Sequence, residues 1–392
     1  MTRRLAAILV VLVGFGLSAG GVQALDEVIG RALFRRAWVP APSSTRANAG
    51  LGPLYNARSC AACHGGLDRH PVGTDAAGTV QGDHLVLRLS DAAGLPDPVY
   101  GHQLQTSSVS GTEPEGRVVL RDGRGAAADL AHGPLAAQTR SGARIAPGLR
   151  GLGLLAEIPD AVIAARAGSP NLSAGGRVNW VVGPDGARRA GRFGWKASAA
   201  TLDSQVETAF LLDLGLSTPG RPDPAGDCSP AQEACRAAPH GGREGAPEIP
   251  AEIVSRIAGY LATIPPDEPE AVDHRGSALF TAAGCAACHA PSLPGPRGPV
   301  RAFTDLLLHD MGTDLDGGAT EPGIGATEWR TAPLWGLSRT LANGAGLMHD
   351  GRAATLVDAI RLHGGAAARS RSRFDALTLA ERRRLIDFLA SL

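Results

Sequence analysis

Apolar side chains recur at helical spacing in several stretches of the chain. Between residues 253 and 264 they fall at i, i+4, i+7, i+8 and i+11, which predicts a helix with one apolar face. Helical spacing is also present over 203–214, and 26–36 has a helical composition. The side chains that would line the first two helices are Ile253, Ile257, Tyr260, Leu261 and Ile264, and Val206, Phe210, Leu211 and Leu214.

Two helices near the end of the chain are predicted by their first residues. Thr355-x-x-Asp358 and Thr378-x-x-Glu381 each place a hydroxyl three residues before a carboxylate, as in a capping box. Apolar residues then mark one face of the last helix, and we expect this face to be ordinary core. They are Leu385, Phe388, Leu389 and Leu392.

Short strand-like runs and turn residues fill much of the rest. Residues 65–150 are rich in Gly and Pro and contain runs such as 118–120, and residues 176–195 predict a hairpin around Pro184-Asp185-Gly186. The chain has 52 Gly and 28 Pro, and only 4% of its residues are aromatic. We therefore expect a loop-rich fold, mainly α with short β hairpins, in which a large cofactor supplies much of the core.

A weak internal repeat divides the chain. The sequences GRALF at 30–34 and GSALF at 276–280 share the pattern G-x-A-L-F, and a polar linker runs from Asp267 to Asp273. We expect a leader over 1–24, an N-terminal domain over 25–266 with inserted loops and a hairpin, and a C-terminal domain over 274–392.

The first residues have the pattern of an export signal. Arg3 and Arg4 precede the apolar run 5–17, and Val22-Gln23-Ala24 ends in a small residue suited to cleavage. The run is short for a membrane span, and no other stretch reaches about 18 apolar residues. We therefore expect a periplasmic protein with no membrane span in the mature chain. The alternative is an uncleaved N-terminal anchor.

Charge and cysteine usage fit this location. The formal net charge is zero and no basic patch is present, so nucleic acid is not an expected partner. Cys228 and Cys235 lie seven residues apart, and an oxidising compartment favours a disulfide between them. A metal knuckle is the alternative, but His240 is the only nearby histidine.

The other four cysteines lie in two identical CAACH motifs. The first spans Cys60, Cys63 and His64, and the second spans Cys285, Cys288 and His289. C-x-x-C-H is the attachment sequence of c-type haem, with the thiols on the porphyrin and the histidine as proximal iron ligand. A zinc or redox C-x-x-C is the alternative, although a zinc site would need four compactly placed ligands. We expect two covalently bound haems.

Each iron then has a sixth position for which the chain offers several candidates. For the second haem we expect His363, with Met348 and His349 as competitors. For the first haem we expect His102. Its alternatives are His84 and His70, and His309 is instead expected to be a pocket residue.

Two further residues are unusual. Lys196 is the single lysine among 38 basic residues, so it is a candidate for a role that Arg does not fill. The alternative is that this lysine has no special role and remains by chance at the edge of a hairpin. Trp195 beside it is expected either to relay electrons between haems or to pack against one.

With these motifs identified, the chain resembles the bacterial di-haem oxidoreductase family, which is similar to di-haem cytochrome c peroxidases. The resemblance covers about residues 25–392. In such relatives the distal ligand of the C-terminal haem ends a helix that follows a His-Asp/Ser-Gly sequence, and His363 holds that position here in place of the usual Met. This difference implies a lower potential for the second haem. The matching sequences are GLGPLYNARSCAACH, YGHQLQ, APGLRGLGLLAEIP, GRFGWKA, LLLHDMG, EWRTAPLWGL, LMHDGRAATL and LHGG.

The resemblance implies reduction of hydrogen peroxide, with electrons passed from one haem to the other. Glu157 lies in an apolar run and is our candidate acid–base group, because burial would raise its pKa. Gln103 and Gln105 are candidates for orienting peroxide.

The expected partner is a small soluble electron donor, such as a cytochrome c or a copper protein. Calcium between the haems is implied by analogy alone, since no acidic loop has calcium-binding spacing. The alternatives to a peroxidase are a bis-His electron carrier linked to iron handling and an oxidase of partner side chains acting near Trp195.

Overall fold

The computed structural model describes residues 19–169, 175–183, 185–243, 245–267 and 273–392. Most of the expected leader, Pro184 of the predicted turn and most of the expected linker lie outside these ranges. None of the described helices is long and apolar enough to cross a membrane.

Twelve α-helices lie in the described part of the chain, together with short 3₁₀ turns such as Cys285–Ala287. The helices are α1 Ala19–Arg35, α2 Cys60–Cys63, α3 Leu152–Glu157, α4 Asp160–Ala167, α5 Leu202–Leu214, α6 Glu233–Ala237, α7 Ala251–Thr263, α8 His274–Ala282, α9 Leu337–Ala342, α10 Leu356–Arg361, α11 Ala368–Ala376 and α12 Leu379–Ala390.

The strands form small antiparallel sheets. The largest has three strands in the order β5-β4-β9, and the other described sheets are two-stranded. The strands are β1 Leu54–Tyr55, β2 Gly73–Thr74, β3 Val80–Gln81, β4 Leu85–Ser90, β5 Gln103–Leu104, β6 Ser107–Ser108, β7 Arg117–Arg121, β8 Arg124–Ala128, β9 Arg140–Ile145, β10 Trp180–Val182, β11 Arg188–Ala190, β12 Leu293–Gly295, β13 Gly298–Val300, β14 Leu308–Asp310 and β15 Glu328–Arg330.

The repeated G-x-A-L-F sequence has one physical explanation in both places. A Cβ on Gly30 would lie 2.3 Å from the Arg256 carbonyl oxygen, and one on Gly276 would lie 2.4 Å from Phe388 Cβ. Each glycine therefore lets its helix approach a later helix closely, α7 in the first case and α12 in the second. The repeat phenylalanines are buried against those same helices, with ring centroids 5.7 Å apart in both the Phe34–Tyr260 and Phe280–Phe388 pairs.

Two large apolar clusters surround the two CAACH motifs. One cluster packs α1, α5 and α7 around Cys60, and the other packs α8, α10 and α12 around Cys285. The first cluster also takes in Leu293, Leu306 and Leu307 from beyond the expected boundary. The two halves of the chain thus share buried apolar surface.

Several local predictions are confirmed. Thr355 and Thr378 cap α10 and α12, strands β10 and β11 form the predicted hairpin, and Cys228 and Cys235 form a disulfide. The expectation of a mainly α chain is confirmed only in part, because about 33% of the residues are helical and 18% are in strands.

Candidate functional site

The first CAACH motif is a single helical turn that orients its histidine. The Ser59 hydroxyl caps α2 by accepting a hydrogen bond from the Ala62 amide, and the chain then turns at His64. His64 Nδ1 donates to the Pro147 carbonyl oxygen at 3.0 Å. Burial lowers the pKa of His64 to about 4. The ring is therefore neutral, with its lone pair on Nε2, which is the state that binds a metal ion.

The second motif repeats this arrangement with a different partner. His289 Nδ1 donates to the Phe303 carbonyl oxygen at 3.0 Å. Burial, together with nearby His363, lowers the pKa of His289 to about 4. All four cysteines of the two motifs are unpaired. Each motif thus offers two free thiols and a neutral imidazole with a free Nε2.

The His363 ring lies close to the His289 ring of the second motif. It follows α10, and its Nδ1 donates to the Ala359 carbonyl oxygen at 2.7 Å, so Nε2 carries the lone pair. The two ring centroids are 6.3 Å apart. Two imidazoles bound in line to one metal ion through bonds of about 2 Å have centroids roughly 6 Å apart. The spacing therefore fits two axial ligands of one iron.

Of the two competing residues for the second site, Met348 packs against the apolar cluster around Cys285, whereas His349 lies in a different place. His349 stacks on Trp329 with ring centroids 3.7 Å apart, and the Met348 carbonyl oxygen accepts from Arg69 at 2.7 Å. His309 is buried against Asp305, with Nε2 2.9 Å from Oδ2, and its Nδ1 is 3.7 Å from Cys288 Sγ. His309 thus contacts the second motif beside the cysteine, which agrees with its expected place as a pocket residue.

The first motif has a different arrangement of histidines. His70 and His84 stack on each other with ring centroids 4.8 Å apart. His84 Nδ1 bonds to the Cys63 carbonyl oxygen at 2.8 Å, and His70 Nε2 bonds to the Gly65 carbonyl oxygen. Both rings are thus anchored to the backbone of the motif segment itself.

His102, the expected sixth ligand of the first haem, lies at the surface. Its side chain is 51% exposed, and its Nδ1 is 2.8 Å from an Asp227 carboxylate oxygen. A buried axial ligand was expected here. The strand register explains the difference, because His102 and Gln103 are neighbours at the start of β5 and point to opposite faces. His102 is therefore placed as a surface residue paired with Asp227 and not as a buried ligand.

Gln103 points inward and is fully buried. Its Nε2 donates to Asn56 Oδ1, the Leu212 carbonyl oxygen and Asp213 Oδ1, at 2.6, 2.8 and 3.0 Å. Gln105 Nε2 donates to the same Leu212 oxygen at 2.9 Å. The Oε1 atoms of both glutamines are buried without a hydrogen-bond partner in the described structure, so both remain able to accept one.

Two buried carboxylates complete this polar cluster. Asp213 lies near the first motif. Burial raises the pKa of the Cys60 thiol to about 12, and the charge of Asp213 is the second cause of this rise. Glu115 Oε2 accepts a hydrogen bond from the backbone N–H of Gln105, and Glu115 Oε1 accepts one from Gln232 Nε2, both at 2.6 Å. We call Gln103, Gln105, Glu115 and Asp213 the acid–amide cluster.

Glu115 has the ionisation behaviour that was expected of Glu157. It is 1% exposed, and burial raises its pKa to about 8 in spite of its two hydrogen bonds. Glu157 instead ends α3 in a half-exposed ion pair with Arg297, with an oxygen–nitrogen distance of 2.7 Å. The expected burial of Glu157 is absent because its side chain leaves the apolar face of the helix.

Trp195 is bonded to the chain segment that holds His64 of the first motif. Its Nε1 donates to the Ile145 carbonyl oxygen at 2.9 Å, two residues before the carbonyl that holds His64. The Arg69 guanidinium lies 5.5 Å from its ring centroid and also donates to the Gly346 and Met348 carbonyl oxygens. The Trp195 ring thus contacts Ile145 and Arg69, and Arg69 in turn bonds to two residues of the C-terminal half of the chain.

Lys196 is fully buried in a cage of acceptors. Its Nζ donates to the carbonyl oxygens of Gly325 and Glu328 at 2.8 and 2.6 Å and lies 3.9 Å from the Trp329 ring centroid. Burial and the nearby Arg144 lower the pKa of Lys196 to about 7. A compact ammonium fits this cage, whereas a planar guanidinium is larger, which explains the lone lysine.

Among the described residues, one group of three could hold a metal ion through side chains alone: Cys288, Asp305 and His309. Two of its three ligand atoms are sulfur and nitrogen, which calcium does not favour. The structure therefore gives no support to a calcium site.

Glu115 and Asp213 were missed from the sequence. Asp213 had a signal, since it is the one acid in the apolar run Leu211-Leu212-Asp213-Leu214. Glu115 had none, because it lies between Pro114 and Gly116 in a Gly/Pro-rich loop.

About the last two thirds of the chain match a known protein family. A family model described as "Di-haem oxidoreductase, putative peroxidase" matches residues 126–392, which is more than half of the chain. The match includes the second CAACH motif and begins after the first. A comparison with curated proteins finds no match.

Two solved structures are similar at low identity. Hydrazine synthase of Kuenenia stuttgartiensis aligns over 100% of both chains at 15% identity with a TM-score of 0.40. A MauG-like protein associated with microbial copper homeostasis aligns over 62% of this chain and 87% of its own, at 19% identity with a TM-score of 0.30. These scores are too low to support an argument about this chain.

Proposed function

The chain belongs to the di-haem oxidoreductase family, and from this premise we propose that each CAACH motif binds one haem covalently. Cys60 and Cys63 would hold the first haem and Cys285 and Cys288 the second. The residues fit this role because all four thiols are unpaired. His64 and His289 would be the proximal ligands, since each has its Nδ1 bound to a carbonyl oxygen and its Nε2 free.

We propose different roles for the two haems. The second would have both axial positions filled, by His289 and His363, and would transfer electrons. The first would keep an open face beside the acid–amide cluster and would be the working site. Haem, when bound, supplies one-electron redox chemistry, and an open axial position allows a peroxide to bind. The observation that supports this proposal is a difference between the two motifs. The second has His363 close to its proximal histidine, whereas His70 and His84 near the first are bonded to the backbone of the motif segment itself.

The proposed reaction is the reduction of hydrogen peroxide to two waters by two electrons and two protons. Glu115 would hold a proton on its carboxyl at neutral pH, because its pKa is raised to about 8. The Oε1 atoms of Gln103 and Gln105 are free acceptors and would hold a peroxide O–H in place. In this proposal Glu115 takes the role that the sequence suggested for Glu157.

We further propose that the chain works as two haem-binding units, 25–266 and 274–392, after removal of a leader over 1–24. The matching glycine and phenylalanine contacts of Gly30 and Gly276 support two related units. The periplasm would be the place of action, and the electron donor would be a small soluble protein.

The second candidate function is a non-enzymatic electron carrier, which the opposed His289–His363 pair favours. Electron paramagnetic resonance (EPR) of the oxidised holoprotein separates the two. A peroxidase of the proposed kind gives one low-spin signal and a second signal that changes when hydrogen peroxide is added. Two low-spin signals that do not respond to peroxide would exclude the peroxidase and leave the carrier.

A further inference from the structure

An open cavity lies apart from both CAACH motifs. It holds about 150 Å³ and lies between β8, β9, the loop 316–318 and the loop 349–352. We call it the arginine pocket after the three arginines in its lining. Its charged and titratable lining residues are Arg124, Arg140, Arg352, His349, Asp316 and Asp350.

The lining has one positive charge in excess, since three arginines face two aspartates. Both aspartates are already paired, with Arg140 2.7 Å from Asp316 and Arg352 Nε 2.6 Å from Asp350 Oδ2. Arg124 has no carboxylate within ion-pair distance in the described part of the chain. The excess charge therefore belongs to a side chain that is free to bind an anion.

One of the lining residues is a buried histidine with an unpaired polar atom. His349 is 3% exposed, and its Nε2 has no hydrogen-bond partner among the described residues. The carboxylate oxygen Asp350 Oδ2 is 3.6 Å from this atom, beyond hydrogen-bond distance. The stack on Trp329 fixes the ring in place. Burial and surrounding cations, among them Arg144, Arg352 and Arg124, hold the pKa of His349 well below its usual value.

We propose that the arginine pocket binds a small oxyanion of the phosphate or carboxylate class. Such a ligand would pair with Arg124 and accept a hydrogen bond from the neutral imidazole of His349. A cation is disfavoured because both aspartates are paired. The cavity of about 150 Å³ is large enough for an anionic group the size of a phosphate or a carboxylate.

Two sources can supply this chemistry: a free anion, or a propionate carboxylate of a bound haem. The second source rests on the proposed function, and the first does not. Inorganic phosphate is titrated into the holoprotein and binding is followed by calorimetry. A free-anion site binds phosphate in the native chain, and Arg124→Ala weakens that binding about tenfold.

Arg121→Ala is the matched control, because Arg121 is the register partner of Arg124 across the hairpin and lies outside the pocket lining. It removes the same charge and should leave phosphate binding unchanged.

A propionate site gives a different result. The holoprotein does not bind phosphate in this case. Arg124→Ala and His349→Gln each shift a haem reduction potential, and Arg121→Ala leaves that potential unchanged. If phosphate does not bind and no potential moves, the pocket is not an oxyanion site. Equal weakening by Arg121→Ala would also overturn the proposal, because it would reflect general surface charge. Loss of the pocket would leave the haem assignment untouched.

Discussion

The His289 and His363 ring centroids lie 6.3 Å apart, and each ring has its Nδ1 on a backbone carbonyl oxygen. The two Nε2 atoms are therefore the free nitrogens of the pair. The carbonyl partners, on Phe303 and Ala359, fix both ring orientations before any ligand is present. Such preorganisation favours a closed, two-histidine iron site over one that opens during turnover.

Replacing His363 with Ala should convert the second haem from low spin to high spin. The change removes one of two axial ligands and leaves the CAACH attachment intact, so both haems should remain bound. EPR of the oxidised protein and mass spectrometry measure the two quantities. His274→Ala, an exposed histidine in the same half, is the control. An unchanged EPR spectrum in His363→Ala would remove His363 from the site.

Replacing Glu115 with Gln should remove a pH dependence from both stability and turnover. The folded pKa is about 8 and the ordinary value is 4.5, so the native state holds this proton more tightly than the unfolded state. Stability from this group is complete below about pH 4.5 and is lost as the pH rises to about 8. The shift sets an upper limit of about 5 kcal/mol, and we expect a few.

Denaturant unfolding at pH 5 and pH 8 measures this effect, and the rate of peroxide reduction across the same range tests the catalytic role. The native chain should lose more stability over the interval than Glu115→Gln does. Its rate should show a step near pH 8 that the variant lacks. Glu113→Gln, an exposed neighbour, should behave like the native chain. Identical pH profiles in all three proteins would contradict the proposal.

The sequence predicts the parts of this site that depend on local pattern. The CAACH motifs, the caps at Thr355 and Thr378, and the position of His363 after α10 all follow from residues close together in the chain. The choice between His102 and Gln103 does not, because it depends on which face of β5 is covered. That face is decided by distant partners, β4 and the end of α5.

Glu115 and Glu157 show the same limit for ionisation. An apolar neighbourhood in sequence suggested that Glu157 is buried, but the end of α3 exposes it to Arg297. Glu115 lies between Pro114 and Gly116 in a loop sequence, and it is buried in contact with Gln105 and Gln232, which come from other parts of the chain. A pKa shift depends on the surroundings in space, which a single sequence does not contain.

Replacing Lys196 should destabilise the protein whether or not the positive charge is kept. Lys196→Met leaves the carbonyl oxygens of Gly325 and Glu328 without their donor, and Lys196→Arg places a larger group in a closed cage. We expect a loss of about 2–4 kcal/mol in each case. Thermal or denaturant unfolding measures it. Arg121→Lys, at an exposed site, should stay within about 0.5 kcal/mol. Full stability in Lys196→Arg would mean that the cage does not require an ammonium group.

Substitution of Trp195 tests whether electrons pass between the two haems through the indole ring. The ring donates a hydrogen bond to Ile145, in the segment that holds His64, and it lies under the Arg69 guanidinium. Arg69 in turn donates to the Gly346 and Met348 carbonyl oxygens. The Arg69 guanidinium over the ring disfavours a positive charge on it. Trp195 should therefore assist electron transfer without itself being oxidised for long.

Trp195→Phe keeps an aromatic ring but shortens it and removes the hydrogen bond to Ile145. We expect electron transfer between the haems to slow about tenfold, equal to about 1.4 kcal/mol of barrier. Rapid reduction of one haem, followed by optical detection of the other, measures this rate. Trp180→Phe, an exposed tryptophan on the β10–β11 hairpin, should not change it. A faster rate in Arg69→Met would support the electrostatic argument, because the opposing charge is gone. Equal electron-transfer rates in the native chain and Trp195→Phe would show that the Trp195 ring has only a packing role, because shortening a ring that carries the electron would change the rate.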